Sequence, residues 1–152
     1  MLLLSILWIL QDLLTVLFGG VMQLPELFLM GIVYKLIIDE REDKLWAIWT
    51  AFFGGLLWDL RWVGVPGFFT LGYVVVVALI LWTWRVIPVH GRTLWVVFLL
   101  LESSQIIPNL VPVLILGGST GSSFFISQQL YALPAFIICL LIYSKHANSE
   151  QD

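Results

Sequence analysis

Residues 68–84 have the sequence FFTLGYVVVVALILWTW, without a charged side chain. The apolar residues follow one another without the alternation of period two that a half-buried strand requires, so the pattern favours a helix. About 20 such residues cross the apolar layer of a bilayer. Backbone polar groups in that layer cannot bond to water, which leaves helices or closed barrels as the only spanning structures. The segment therefore predicts a transmembrane helix.

The whole chain has the same apolar character. Of its 152 residues, 61% are hydrophobic and 11% charged, whereas about a quarter of the residues in soluble domains are charged. This composition excludes a soluble globular enzyme and a disordered chain. The seven basic residues are scattered singly and the net charge is −3, which excludes a nucleic-acid-binding protein. Cys139 is the single cysteine, which excludes an internal disulfide bond and a cysteine-rich metal site.

Five further apolar segments bring the expected number of helices to six. We predict an all-α fold, a compact six-helix transmembrane bundle in one domain over residues 1–152, with helices at about 2–18, 24–38, 45–60, 68–84, 93–116 and 124–143. The first segment could also be a signal peptide. It lacks a basic amino-terminal region and a small-x-small cleavage site, so a retained helix is favoured.

The basic residues predict the orientation of these helices. With six spans, one side of the membrane holds five of them: Arg41, Lys44, Arg85, Arg92 and Lys145. The other side holds Arg61 alone. Because cytoplasmic loops are enriched in Lys and Arg, we predict that both termini lie in the cytoplasm.

The third helix carries small residues at every fourth position. Ala47, Ala51 and Gly55 are followed at the same spacing by Asp59, so the four share one helix face. Gly54 widens this face, and small residues let two helix backbones approach closely. The second backbone could belong to the same chain or to a partner. Asp59 could pair locally with an arginine, cap the glycine turn at 64–67, or contact a partner.

Two further polar features lie in or near the apolar segments. Glu26 follows Pro25 at the predicted start of helix two, where its charge could complement the helix dipole or contact a partner. Glu102, Gln105 and Asn109 are spaced i, i+3 and i+7 and give helix five one polar edge. That edge could line a solute cavity, bond carbonyl groups that nearby prolines leave free, or bond a partner helix.

No catalytic or metal-binding pattern is found in the sequence. Neither His90 nor His146 has a carboxylate or a second histidine at ligand spacing. The glycine-rich stretch at 117–123 has no following lysine and no preceding strand, so it is not a phosphate-binding loop. We therefore predict no enzyme activity, no metal and no cofactor.

Several short motifs resemble the rod shape-determining protein family MreD. Residues 23–27 (QLPEL) resemble that family's Pro-Asp-Leu motif at the start of helix two. Residues 53–60 (FGGLLWDL) resemble its Gly-Phe-x-x-Gly-Leu-Leu-x-Asp signature, and residues 64–67 (GVPG) and 71–73 (LGY) follow in the family's order. The resemblance implies a fold similar to the substrate-binding subunits of energy-coupling-factor transporters.

The same resemblance implies a non-enzymatic component of the bacterial cell-elongation machinery in the inner membrane. Its partners would be membrane lipid, an MreC-like periplasmic scaffold and, through that protein, the peptidoglycan synthase pair and MreB filaments. The residues expected to pack against a partner are Pro25, Glu26, Ala47, Ala51, Gly54, Gly55, Asp59, Gly64 and Gly67. The alternative is a substrate-binding subunit of a vitamin or small-solute transporter, with Glu102, Gln105 and Asn109 lining its cavity.

Overall fold

The computed structural model describes residues 2–18, 24–39, 44–88, 91–116 and 122–149. These residues form six α-helices and one π-helical turn, and none of them lies in a strand. The helices are α1 (Leu2–Phe18), α2 (Leu27–Ile38), α3 (Leu45–Trp58), α4 (Phe68–Val86), α5 (Leu94–Leu116) and α6 (Ser122–Ser149), and the π-helical turn Asp59–Val63 follows α3. The predicted all-α class is confirmed.

Several predicted helix boundaries differ from the structure, and three of the differences lie at the start of α2, the end of α3 and the end of α6. Helix α2 begins at Leu27 rather than near residue 24, because Glu26 is not helical, with φ −77° and ψ 70°, and the residue before a proline is disfavoured in helical geometry. The third helix was expected to continue to residue 60, but it changes to π-helical geometry at Asp59. Helix α6 continues to Ser149, past the predicted end at 143.

Three helices are long and apolar enough to cross a membrane. The spans are Phe68–Val86, Leu94–Val111 and Ile126–Lys145, and Leu2–Phe18 and Leu27–Ile38 are shorter apolar helices. Large hydrophobic side chains are exposed along these helices, for example Trp82 at 69% and Leu141 at 64%. A surface of this kind matches a lipid environment better than water, which is consistent with a membrane protein.

Helix α2 lies at the centre of the bundle. It contacts all five other helices, and eight of its twelve residues are buried, as expected for a helix that is apolar on every side. Twelve residues at about 1.5 Å each make the helix roughly 18 Å long, which is shorter than the apolar layer of about 30 Å. If Ile38 lies at one membrane surface, the start of α2 lies inside the apolar layer.

The described basic residues concentrate at one end of the bundle. The Lys44 ammonium donates to the Leu36 carbonyl at 3.0 Å, and Arg92 donates to the Trp84 carbonyl at 3.2 Å. Partial burial lowers the pKa of Lys44 from its ordinary value, Asp39 opposes that shift, and Arg92 and Arg85 contribute to it. We name this the basic end. The opposite end, where α3 stops and α4 begins, is the far end.

Candidate functional site

The Asp59 carboxylate organises the connection between α3 and α4 at the far end. It is fully buried and accepts backbone N–H bonds from Gly67 at 2.9 Å, Phe69 at 2.8 Å and Thr70 at 3.0 Å. It also accepts the Thr70 hydroxyl at 2.6 Å. The first N–H groups of a helix have no partner inside the helix. Asp59 therefore caps α4 from the preceding helix.

Two glycines give the intervening turn the shape that this cap requires. Gly64 has φ +73° and donates its N–H to the Asp59 carbonyl at 2.7 Å, and Gly67 has φ +121°. L-residues with a side chain rarely adopt such positive φ angles. The cap was one of the alternatives left open for Asp59. Arg61 instead pairs with Asp12 of α1, at 2.5 Å from Nε to Oδ1.

The small-residue face of α3 packs against this protein's own α4. Ala47 and Ala51 are fully buried, and a Cβ on Gly55 would lie 2.7 Å from the Thr70 Cα. The two backbones therefore meet at Gly55, which corresponds to packing within the chain. Gly54 lies against the Phe28 ring instead, and its carbonyl accepts the Trp8 indole N–H at 3.3 Å.

This packing changes which residues could meet a partner. Of the nine residues expected at a partner surface, only Gly64 and Gly67 are exposed. The other seven are buried inside the monomer: Pro25, Glu26, Ala47, Ala51, Gly54, Gly55 and Asp59. A partner could reach these seven only if the bundle opened. The predicted partner surface therefore cannot include them in this structure. The exposed part of the expected surface is the turn between α3 and α4.

A second group of polar residues lies inside the bundle, around Glu26. Its carboxylate accepts a bond from the Gln11 amide at 2.7 Å and one from the Tyr73 hydroxyl. The three side chains come from α1, the start of α2 and α4, and all are buried. Contrary to the simplest dipole-capping interpretation, the Glu26 side chain makes no cap bond to α2 itself.

Two glutamines satisfy the backbone where α2 begins. Gln105 of α5 accepts the Glu26 backbone N–H at 2.8 Å and donates to the Glu26 carbonyl at 3.4 Å. Gln11 accepts the Phe28 N–H at 2.8 Å. A helix that starts inside an apolar layer has no water to satisfy these groups. The glutamines therefore stabilise the buried start of α2.

The predicted polar edge of α5 takes part in these contacts, except at Glu102. Asn109 donates to the Gln105 carbonyl at 2.7 Å and to the Gln128 side chain of α6 at 3.1 Å. Gln105 is fully buried. Glu102 lies half-buried one turn away, and none of these bonds reaches it. The edge thus bonds other helices of the same bundle, and we name Gln11, Glu26, Tyr73, Gln105, Asn109 and Gln128 the polar cluster.

Three members of the polar cluster were not identified from the sequence. Gln11, Tyr73 and Gln128 are uncharged polar residues within apolar helices. Polar residues at membrane depth face protein or water rather than lipid, which is the signal that could have selected them. That rule does not predict which residue each of them contacts.

The described residues contain no group of three or more His, Cys, Asp or Glu side chains that could hold a metal ion. The carboxylates of Asp59 and Glu26 are engaged by donors from this chain. Fold and site together define an all-helical protein with three helices that could span a membrane. Comparison of the chain with family models, with curated proteins and with solved structures found no match.

Proposed function

We propose that the protein is a non-enzymatic membrane scaffold of the MreD type that binds an MreC-like partner within the bacterial cell-elongation machinery. The motifs that carry the resemblance support this proposal, because they serve one structural purpose. Glu26 and Tyr73, from two of these motifs, bond to each other, and Asp59 caps α4. These three polar side chains thus stabilise the bundle.

The observation that carries the proposal is the surface that Asp59 holds in place. Residues 60–67, which we name the far-end segment, expose Leu60 at 59%, Trp62 at 40% and Val65 at 53%. The Asp59 bonds and the pairing of Arg61 with Asp12 fix this segment at both of its ends. A preorganised apolar surface loses little conformational freedom on binding, so it suits the membrane-proximal part of another protein.

The wider arrangement is part of the same proposal. The chain would cross the bacterial inner membrane six times, with the basic end and both termini in the cytoplasm. The far-end segment would then face the periplasm, where an MreC-like protein is located. The peptidoglycan synthase pair and MreB filaments would be reached through that partner. The resemblance to energy-coupling-factor subunits concerns the fold alone and does not imply that this protein binds a solute.

The alternative, a solute-binding transporter subunit, has weaker support in the structure. Both polar atoms of the Gln105 amide bond the Glu26 backbone, and the Asn109 amide nitrogen bonds two acceptors. A solute would have to displace these contacts. Glu102 is the remaining residue of the predicted cavity set, so Glu102→Gln should leave partner binding unchanged, whereas a transporter subunit would lose solute binding.

Co-purification from the native host tests the proposal. The full-length tagged protein is extracted in a mild detergent, and bound proteins and small molecules are identified by mass spectrometry. Val65→Arg places a charge on the far-end segment. Val86→Arg is the matched control because Val86 is also an exposed valine, at 64% against 53% for Val65, and lies at the basic end. We expect Val65→Arg to reduce the yield of an MreC-like protein at least tenfold and Val86→Arg to leave it unchanged.

Two outcomes would contradict the scaffold proposal. One is an MreC-like yield that Val65→Arg and Val86→Arg change equally. The other is a stoichiometric vitamin or similar small solute that the wild-type protein retains and Glu102→Gln loses. The second result would select the transporter alternative.

A further inference from the structure

A groove separates α1 from α3 along most of the length of α3, from the basic end to Leu57. Towards the far end the two helices are linked: the Trp8 ring packs edge-on against Trp58, with centroids 6.3 Å apart, and Asp12 pairs with Arg61. Nearer the basic end no such link joins the described residues of the two helices, and a groove of about 610 Å³ opens between them. Phe28 of α2 forms part of its floor.

The groove is almost entirely apolar. Its walls include Leu4 and Ile9 on α1 and Trp46, Trp49 and Phe53 on α3. The polar side chains among its lining residues are hydroxyls and indole N–H groups. The Thr50 hydroxyl bonds the Trp46 carbonyl at 2.6 Å, within its own helix. Such a lining suits a hydrocarbon group better than a polar solute.

The length of the groove distinguishes between possible hydrocarbon occupants. It extends along α3 from Trp46 to Leu57, and eleven steps of about 1.5 Å give roughly 16 Å. This is about half of the 30 Å apolar layer, the depth of one leaflet. A transmembrane helix would need a seam through the whole layer, but the links from Trp8 to Trp58 and from Asp12 to Arg61 close the seam beyond Leu57. An acyl chain of one leaflet fits this length.

Charged groups lie beside Trp46, which lines the groove at the basic end, and we name this end its mouth. The Lys35 ammonium lies 4.7 Å from the centroid of the Trp46 ring, and the Trp46 indole N–H donates to the Asp39 carboxylate at 3.2 Å. A lysine and a carboxylate thus both contact Trp46, which lines the groove at the basic end. A zwitterionic headgroup carries the complementary pair, a phosphate and an ammonium.

We propose that this groove binds one phosphatidylethanolamine molecule from the leaflet at the basic end. One acyl chain lies between α1 and α3 over Phe28. The phosphate is held near Lys35, and the ethanolamine ammonium lies towards Asp39. The inference does not depend on the scaffold proposal, because it rests on the groove and its mouth alone.

Native mass spectrometry of the delipidated full-length protein, titrated with 1-palmitoyl-2-oleoyl-phosphatidylethanolamine, tests the proposal. Thr50→Phe fills the groove from α3, and Thr83→Phe is its matched control because Thr83 makes the same bond to the carbonyl four residues earlier, at 2.7 Å. Ile9→Trp fills the groove from α1, and Ile6→Trp is its control, since Ile6 is also exposed, at 52%, but does not line the groove. Helicity measured by circular dichroism shows which variants are folded.

We expect one saturable lipid per chain on the wild type and on both controls. Lys35→Gln should weaken binding several-fold, and each folded groove-filling variant should weaken it at least tenfold. Lipid adducts that do not saturate and are equal in all variants would show ordinary boundary lipid and overturn the proposal. A dimer that forms without lipid and is abolished by Thr50→Phe or Ile9→Trp would also overturn it, since a second copy would then occupy the groove.

Discussion

Replacing Asp59 tests whether its carboxylate is mainly a structural cap. In Asp59→Ala, the N–H groups of Gly67, Phe69 and Thr70 and the Thr70 hydroxyl lose their common acceptor. Thr70 is buried, at 7% exposure, so its N–H cannot turn to water. Gly67 lies at the surface, and its N–H can be solvated.

The expected cost follows from these four bonds. Loss of a helix cap costs about 1 kcal/mol and up to about 2 kcal/mol, and each buried donor left without an acceptor costs about 1–3 kcal/mol. Counting the cap and one stranded Thr70 donor, we expect Asp59→Ala to lower the free energy of unfolding by about 3 kcal/mol or more. Asp59→Asn keeps one oxygen. Placed at Oδ2, that oxygen still accepts three of the four bonds, so the cost should be about 1–2 kcal/mol.

The free energy of unfolding can be measured by titrating sodium dodecyl sulfate into mixed micelles, with helicity as the signal and linear extrapolation. Asp12→Ala is the control, because it removes a carboxylate paired with Arg61, whose side chain is 52% exposed. Exposed ion pairs contribute about 1 kcal/mol or less. If Asp59→Ala cost no more than Asp12→Ala, the capping explanation would be refuted.

Two further comparisons use the same measurement. Gly55→Ala should lower the free energy of unfolding by about 1–3 kcal/mol, because its Cβ would meet the Thr70 backbone at 2.7 Å. Gly31→Ala is the control and should cost less, because its Cβ meets the end of a leucine side chain that can rotate. Equal costs would show that α3 and α4 are not closely packed at Gly55. Gln11→Leu should lower the free energy of unfolding by about 2–4 kcal/mol, because the buried Phe28 N–H loses its acceptor and the Glu26 carboxylate loses a donor. Glu26→Gln keeps an oxygen that accepts from both Gln11 and Tyr73, so it should change stability by less than about 1 kcal/mol. A larger loss for Glu26→Gln would show that the charge itself is required.

The sequence determined the helices more completely than the contacts between them. Continuous apolar runs place α1, α4 and α5 within two residues of their observed ends. The start of α2 differs from the prediction at a point where a distant residue contacts the backbone, since Gln105 of α5 accepts the Glu26 N–H. Asp59 could be predicted as a cap because the turn that it closes is only a few residues away.

The contacts of the small-residue face could not be decided from the sequence. Ala51 and Gly55 would have the same spacing whether the second backbone was α4 or a partner helix, since close approach depends on side-chain size alone. The same holds for the polar cluster. Gln11 and Gln128 are 117 positions apart, and their common environment depends on how each helix is rotated in the bundle.

Two neighbouring residues of α1 connect the polar cluster with the far-end segment. Gln11 bonds Glu26 and Phe28 at the start of α2, and Asp12 pairs with Arg61 in the segment that Asp59 holds. Most of α1 is exposed along its length, so its position depends on these polar bonds, the Trp8 contacts and the packing of Leu4 and Leu7 against Gly31. Because Gln11 and Asp12 are consecutive in one helix, a change at Glu26 that shifts α1 should weaken the pairing of Asp12 with Arg61. The internal polar cluster and the proposed partner surface are thus mechanically linked through α1.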